Sequence, residues 1–319
     1  RGDAPLLAAR LRKRFATGQL SVAHVGGVLS ASRILTFPVE NLGDNPLILD
    51  EIMKGTHPIA KRLKQSSCPM IIVGQDVLCR PDGAAILGRL RVTCETLGLN
   101  RENWCAFNVL HKAAGRVGGL DVGFVPEKEG FSTHQILAAS QKGDIEAVYL
   151  LGCDELPEKS LGKAFVIYQG HHGDKGAAMA DVILPGLAYT EKEALYVNME
   201  GRPQHAYQAV PTPGDAKPDW QIIVELSKVL GHGQYYKKID EIRTHLAQKN
   251  KVFAHINDVL ASHWGPFGDE KTPLLKTPLT YANNSFYMRD VISRASVTMA
   301  QCVEMIEEPH LEKRTEAHG

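Results

Sequence analysis

None of the six cysteines (Cys68, Cys79, Cys94, Cys105, Cys153 and Cys302) falls in a C-x-x-C pair. Iron–sulfur clusters and structural zinc draw their ligands from closely spaced pairs, so the spacing predicts free, buried thiols in a reducing compartment and no metal site. No apolar run approaches the roughly 20 residues that a membrane span needs, and the basic N-terminus has no apolar core behind it. Any link to a membrane goes through partners on this reading. Net charge is lacking as well: 36 Lys and Arg balance 36 Asp and Glu, which removes the long-range field that would draw nucleic acid or an anionic surface. Neither G-x-G-x-x-G nor G-x-x-x-x-G-K-[ST] occurs, so a dinucleotide or P-loop site has no motif behind it.

What is there suits a folded protein. With 319 residues, 44% hydrophobic and 23% charged, the chain can bury one large core or two smaller ones. Ala4–Phe15 spaces Leu7, Arg10, Leu11 and Arg14 as a helix does. Gln19–Val28 reads as a strand ending in Gly26-Gly27, and Asn45–Met53 as a helix with Asn45 as cap and Pro46 in its first turn. Cys68–Leu78 is a second strand, followed by a helix over Gly83–Leu99 with Leu87, Leu90, Cys94 and Leu97 on one face. A helix over Ala106–Leu120, with Leu110, Ala113, Ala114 and Val117 inward, a shorter one over Thr133–Gln141 and a strand over Glu146–Leu151 complete the series. Strands separated by helices over this length predict an α/β fold with a doubly wound, mostly parallel sheet.

The organising stretch is Ala164–Gln204. Phe165–Tyr168 has the β-branched and aromatic character of a buried strand and breaks at Gly170 into the polar loop His171, His172, Gly173, Asp174. A small-residue turn over 176–180 leads to a second strand, Asp181–Leu184, ended by Pro185-Gly186. Glu193–Asn198 alternates and turns at Gly201 into a hairpin. Beyond it lie a loop, a helix over Asp219–Leu230 burying Ile223, Leu226 and Leu230, and mixed helical patterning to Ser262. A Pro-, Gly- and Asn-rich extended surface arm follows over Gly265–Asn284, then an amphipathic helix over Asp290–Ile306 and a polar tail, Glu307–Gly319.

In open α/β sheets ligands sit beyond the carboxyl ends of the strands. Those ends are Gly26-Gly27, Gly74-Gln75-Asp76, Gly152-Cys153-Asp154 and Gly170–Asp174. They are either a pocket, with Gly74, Asp76, Gly152, Asp154, His171, His172 and Asp174 as its residues, or the turns that a parallel sheet needs in any case. In an extended loop His171 and His172 point to opposite sides and do not share a metal. His172 with Asp174 or Asp181 could form an acid/base pair, yet no nucleophile or oxyanion donor stands beside it, so a hydrogen-bonded loop latch is expected and no catalytic residue is assigned. Glu191, Lys192 and Glu193 read as a solvated charged face.

DVILPG, the TEK segment after it and YVNMEGR together resemble the molybdopterin oxidoreductase superfamily. YQGHHGD, Asp219-Trp220 and FYMRDVISRASVTMAQCV narrow the resemblance to the largest iron–sulfur subunits of respiratory NADH:ubiquinone oxidoreductase, complex I, from Asp3 to Cys302. The resemblance implies a molybdopterin oxidoreductase-like α/β domain over 1–204, a helical appendage over 205–264, and the arm, helix and tail over 265–319. It implies a non-catalytic structural role in the NADH-oxidising peripheral arm, on the matrix side of the mitochondrial inner membrane, with the other subunits of that arm as partners. It also implies that the iron–sulfur clusters lie in an N-terminal region or a separate partner chain, one whose strand would complete the sheet beside Gln19–Val28. The alternative is the cofactor-binding half of a molybdopterin enzyme of the formate dehydrogenase type.

Overall fold

The computed structural model describes residues 4–27, 36–126, 128–157, 159–233, 235–280 and 285–307. The chain forms two compact units: Arg1–Ala113 with Ala261–Asn283, and Ala114–Leu260 with Asn284–Gly319. The units are drawn differently from 1–204, 205–264 and 265–319, because the tract from 265 onward is shared between them.

Unit one opens with α1 (Pro5–Ala16), which has Pro5 in its first turn, where a missing N–H costs nothing. The strand expected over Gln19–Val28 shrinks to β1 (Ala23–His24), paired parallel with β2 (Glu40–Asn41); Val28 lies outside the described residues. Then come α2 (Ile48–Met53), α3 (Pro58–Gln65), β3 (Ile71–Gly74), α4 (Gln75–Leu78), α5 (Gly83–Leu97) and β4 (Phe107–Leu110). β3 and β4 run parallel, with Ile71 opposite Phe107 and Gly74 opposite Leu110. The helix expected over Ala106–Leu120 is therefore wrong in its first half. Phe107 and Val109 pack on the core from a strand, so tertiary pairing overrides the helical spacing that Leu110 shares with Ala113 and Val117.

The core of unit one gathers Leu49, Val73, Ala85, Ile86 and Leu90 with Leu274 and Leu279. Residues 265–280 run along the surface, as expected, and are mostly exposed, but they cross α5 and bury Leu274 and Leu279. Backbone meets backbone where they cross: a Cβ on Gly88 would sit 2.4 Å from Glu270 N, and one on Gly268 (φ +73°) 2.2 Å from Gly88 N. Only glycine permits that approach. Arg89 ties the crossing down, with Nε 3.0 Å from Asp50 Oδ1 and Nη1 donating to Thr272 O at 2.6 Å. Asp82, just before α5, accepts from Leu275 N at 3.0 Å and pairs with Arg80 Nε at 2.9 Å.

Unit two runs α6 (Arg116–Asp121), α7 (Thr133–Lys142), β5 (Ala147–Leu151), β6 (Phe165–Gly170), α8 (Lys175–Ala178), β7 (Val182–Pro185), the hairpin β8 (Ala194–Val197) and β9 (Pro203–Ala206), α9 (Asp219–Val229) and α10 (Ile239–Lys249). α7 starts at a capping box of Ser132 and Gln135, and α8 is capped by Asp174, whose side chain accepts from Lys175 N. β5, β6 and β7 form a parallel sheet in that order, with Ala147 opposite Phe165 and Ile167 opposite Val182. Leu150, Leu156, Leu161, Val166 and Tyr168 are buried beneath it.

The single helix expected over Asp290–Ile306 breaks into α11 (Val291–Arg294) and α12 (Val297–Cys302), followed by a π turn over Val303–Glu307. Ser296 marks the break by accepting from Met299 N and starting α12, while Asp290 starts α11 by accepting from Ile292 N and Ser293 N. Local side-chain acceptors compete with a continuous helical ladder, and here they win. The polar tail beyond Glu307 lies outside the described residues. Among the described residues the strands make four separate sheets, three of them parallel, in a mixed α/β protein.

Candidate functional site

The carboxyl ends of β5 and β6 bring together the unit-two residues singled out in the sequence. β6 ends in Tyr168 and Gln169, both buried, the latter with no exposed surface. Tyr168 Oη lies 2.8 Å from Asp154 Oδ2 and 3.1 Å from the carbonyl of His172, so one phenol fastens the loop after β5 to the loop after β6. Burial first, then the hydrogen-bonded Asp154 carboxylate, raises the phenol's pKa far above its ordinary value. Asp154 Oδ1 is buried without a hydrogen-bond partner and faces Gly176, where any Cβ would come within 2.9 Å of it.

On the other side of β6, Gln169 Nε2 donates to Asp219 Oδ1 at 2.9 Å, and Tyr149 hydroxyl meets Gln169 Oε1. Asp219 Oδ2 closes on Lys192 Nζ. Lys192 therefore belongs to a structural network and not to a solvated face, and neighbouring Glu191 accepts from Ala188 N at 2.9 Å. Burial, then Asp219, raises the Tyr149 hydroxyl.

The polar loop is not extended, which corrects the expectation for its two histidines. The loop folds back, and the Nδ1 atoms of His171 and His172 come within 2.8 Å, their rings at 83°. Neither Asp174 nor Asp181 is bonded to His172: Asp174 Oδ2 takes Arg294 Nε at 2.5 Å, and Asp181 Oδ2 accepts from Val166 N at 2.7 Å. Burial would raise Asp174, but the Arg294 guanidinium holds it below the usual carboxylate value. Burial lowers His171, helped by His172 and Lys192. The remaining candidates, Gly74 and Asp76, stand in unit one, where Asp76 Oδ2 is paired with Lys112 Nζ at 2.5 Å. Asp219, Lys192 and Arg294 all lie in strings quoted for the resemblance, but sequence reasoning assigned none of them to the site and read Lys192 as solvated.

The thiols differ from expectation as well. Cys94 is buried and pushed up to about 12 by desolvation, then Cys105 and Glu95. Cys68, Cys79 and Cys105 are exposed, because each lies outside the apolar stripe of a helix or the interior of a strand.

The sequence model of the molybdopterin oxidoreductase family matches residues 1–229. The chain belongs to the molybdopterin oxidoreductase family. A second model, for the C-terminal part of the G subunit of NADH-ubiquinone oxidoreductase, matches residues 268–302. The chain is 43% identical over 302 residues to the G subunit of NADH-quinone oxidoreductase from Rickettsia felis, covering 94% of this chain and 42% of that protein. It is 40% identical over 307 residues to the NADH-ubiquinone oxidoreductase 75 kDa subunit of Reclinomonas americana, again 94% and 42%. The chain thus spans about two fifths of the length of the curated relatives it matches.

Membership raises the question of a molybdopterin, which carries phosphate and needs free cations or N–H donors. The described exits do not fit it. Lys192, Arg294 and Lys112 are closed on Asp219, Asp174 and Asp76, while Gly152 N and Gly186 N donate to the carbonyls of Gln169 and Gly170. Among the described residues no group of three or more metal-ligating side chains gathers.

Proposed function

We propose that this chain is a structural, non-catalytic part of the peripheral, NADH-oxidising arm of respiratory complex I, supporting electron transfer from NADH to ubiquinone without holding a redox centre itself. The observation that carries the reading is the tract over residues 268–302, which matches the C-terminal model of an NADH-ubiquinone oxidoreductase subunit. That tract supplies Arg294 to Asp174 in the loop after β6, on the side of the sheet where ligands of open α/β folds sit. The names of the relatives, over 94% of the chain, support the same assembly, and nothing in them favours a formate dehydrogenase.

On this proposal the parallel strands of each unit are portions of a doubly wound, molybdopterin oxidoreductase-like core that braces its neighbours. Gly74, Asp76, Gly152, Asp154, His171, His172 and Asp174 line relic turns and bind no pterin or nucleotide. The iron–sulfur cysteines belong to an N-terminal region or a separate chain, and the partners are the other peripheral-arm subunits. The protein sits on the matrix side of the mitochondrial inner membrane. No described helix is long and apolar enough to cross a membrane, so attachment runs through those partners.

Affinity capture of the tagged full chain from respiratory membranes tests this. NADH:ubiquinone reductase activity should copurify, with iron assigned to other polypeptides and no molybdenum. Capture of a molybdenum-containing formate-oxidising complex overturns the proposal.

A further inference from the structure

We propose that His171 and His172 form a two-nitrogen chelate for a divalent first-row transition metal, in the loop after β6. The loop after β6 brings the two Nδ1 atoms to 2.8 Å from one another, on rings that are nearly perpendicular. A metal ion bonds imidazole nitrogen at about 2.0–2.1 Å. Two nitrogens 2.8 Å apart can therefore occupy adjacent positions on one ion, with a ligand–metal–ligand angle close to a right angle. Without metal the pair is held by one Nδ1–H donating to the other ring. For both to ligate, that neutral ring moves its proton from Nδ1 to Nε2, so no proton need be lost and no redox partner is required. His171 is exposed and His172 half-buried, which leaves the rings room to turn their lone pairs to a common point and to admit water in the remaining positions.

The surroundings limit what else can ligate. Lys192, the cation facing His171, is neutralised by Asp219, while Glu191 and Asp174 are committed to Ala188 N and Arg294. The site therefore offers two protein ligands. It is an exchangeable cation site for ions that favour imidazole, Cu²⁺ above Ni²⁺ and Zn²⁺, and not a buried cofactor centre.

The test uses the full chain with its exposed thiols alkylated, titrated with Cu²⁺ by calorimetry and followed by electron paramagnetic resonance. One site with hyperfine coupling to two imidazole nitrogens is expected. His171→Asn and His172→Gln, which keep polar side chains in the loop, should each weaken it on the order of tenfold or more by removing the chelate. The double variant should lose the site while its thermal unfolding without metal stays close to wild type. Unchanged Cu²⁺ stoichiometry and affinity in the double variant, or coupling to a single nitrogen in the wild type, overturns the chelate. Neither outcome bears on whether the chain belongs to complex I, which the capture experiment decides separately.

Discussion

Arg294 reaches back across 120 residues of chain to donate from Nε to Asp174 Oδ2 at 2.5 Å, and its Nη1 stands 3.6 Å from Glu155. The pair is mostly buried, with side-chain exposures of 25% and 19%, so solvent screening is limited. Arg294→Ala should therefore destabilise unit two by about 1–3 kcal/mol. It should also make residues 285–307 the first target of limited proteolysis. Lysine, a point charge without the guanidinium fork, should restore only part of the protection. Equal protease resistance in wild type and Arg294→Ala would show that this tract is held by something else.

Gly88 sets two effects against one another. Alanine in a helix interior is favoured over glycine by about 1 kcal/mol. At Gly88, however, the new Cβ would meet backbone atoms of Asp269 and Glu270 at 2.4–2.8 Å, and backbone cannot swing aside as a side chain can. Overpacking wins, and Gly88→Ala should lose about 1–3 kcal/mol net and release the 265–280 tract, seen as faster amide exchange there. Stabilisation by this substitution would show that the tract does not cross α5 so closely.

The elements that could be read in advance are those whose signal is local. Phe165–Tyr168 and Asp181–Leu184 announce β6 and β7, Gly201 announces the β8–β9 turn, where it takes a φ of +82°, and Gly83–Leu99 announces α5 through its apolar stripe. What could not be read depends on distant partners. Phe107–Leu110 is a strand because β3 lies beside it, Leu274 and Leu279 are buried because α5 has a glycine under their tract, and Lys192 is paired with an aspartate 27 residues away. At the candidate site the positions of Asp154, His171, His172 and Asp174 were visible as a strand exit. Their pairing was not, because the fold-back between Gly170 and Gly173 has no periodic signature.

Thiol reactivity should separate the cysteines sharply. Alkylation proceeds through the thiolate on an accessible sulfur, so Cys68, Cys79 and Cys105 should label in the native protein while Cys94, buried and pushed up to about 12, should not until the protein unfolds. Mass spectrometry of iodoacetamide-treated protein reads this directly. Native labelling of Cys94 at the rate of Cys68 would contradict the packing of α5.

Asp82 supplies a pH dependence with a definite sign. Burial alone would raise its pKa, but the hydrogen bonds from Arg80 and Leu275 N hold the carboxyl below its ordinary value. A depressed folded value means that the contribution is fully present above the unfolded carboxylate pKa, about 3.9, and is lost as pH falls through the folded value. Unit one should accordingly lose stability below about pH 4. Asp82→Asn removes the charge facing Arg80, which keeps the carbonyls of Thr277 and Pro278, and should cost about 1–3 kcal/mol at neutral pH and flatten that part of the profile. Denaturant midpoints measured from pH 3 to 7 check it; parallel profiles for the two proteins would remove Asp82 as the titrating group.

Gln169 gives the sharpest test of the network behind the β6 exit. It has no exposed surface, accepts from Tyr149 and donates to Asp219 Oδ1 at 2.9 Å, a combination that only a neutral amide provides. Gln169→Leu keeps much of the volume but leaves the Tyr149 hydroxyl and one Asp219 oxygen facing an apolar side chain, at a cost of about 1–3 kcal/mol. Gln169→Glu keeps the shape and can still accept from Tyr149, yet it sets a second carboxylate against Asp219 where a donor stood. In that dry setting the repulsion outweighs the retained hydrogen bond, so at neutral pH the glutamate variant should be the less stable of the two. The order is informative because hydrophobicity alone would predict the same direction with a small margin, whereas the network predicts that Asp219→Asn rescues the glutamate variant and not the leucine one. Asparagine can turn its amide N–H toward the introduced carboxylate, restoring a donor–acceptor match, although Lys192 then loses its partner. Chemical denaturation of the three single and two double variants closes the cycle, and additive costs would show that Gln169 and Asp219 are not coupled.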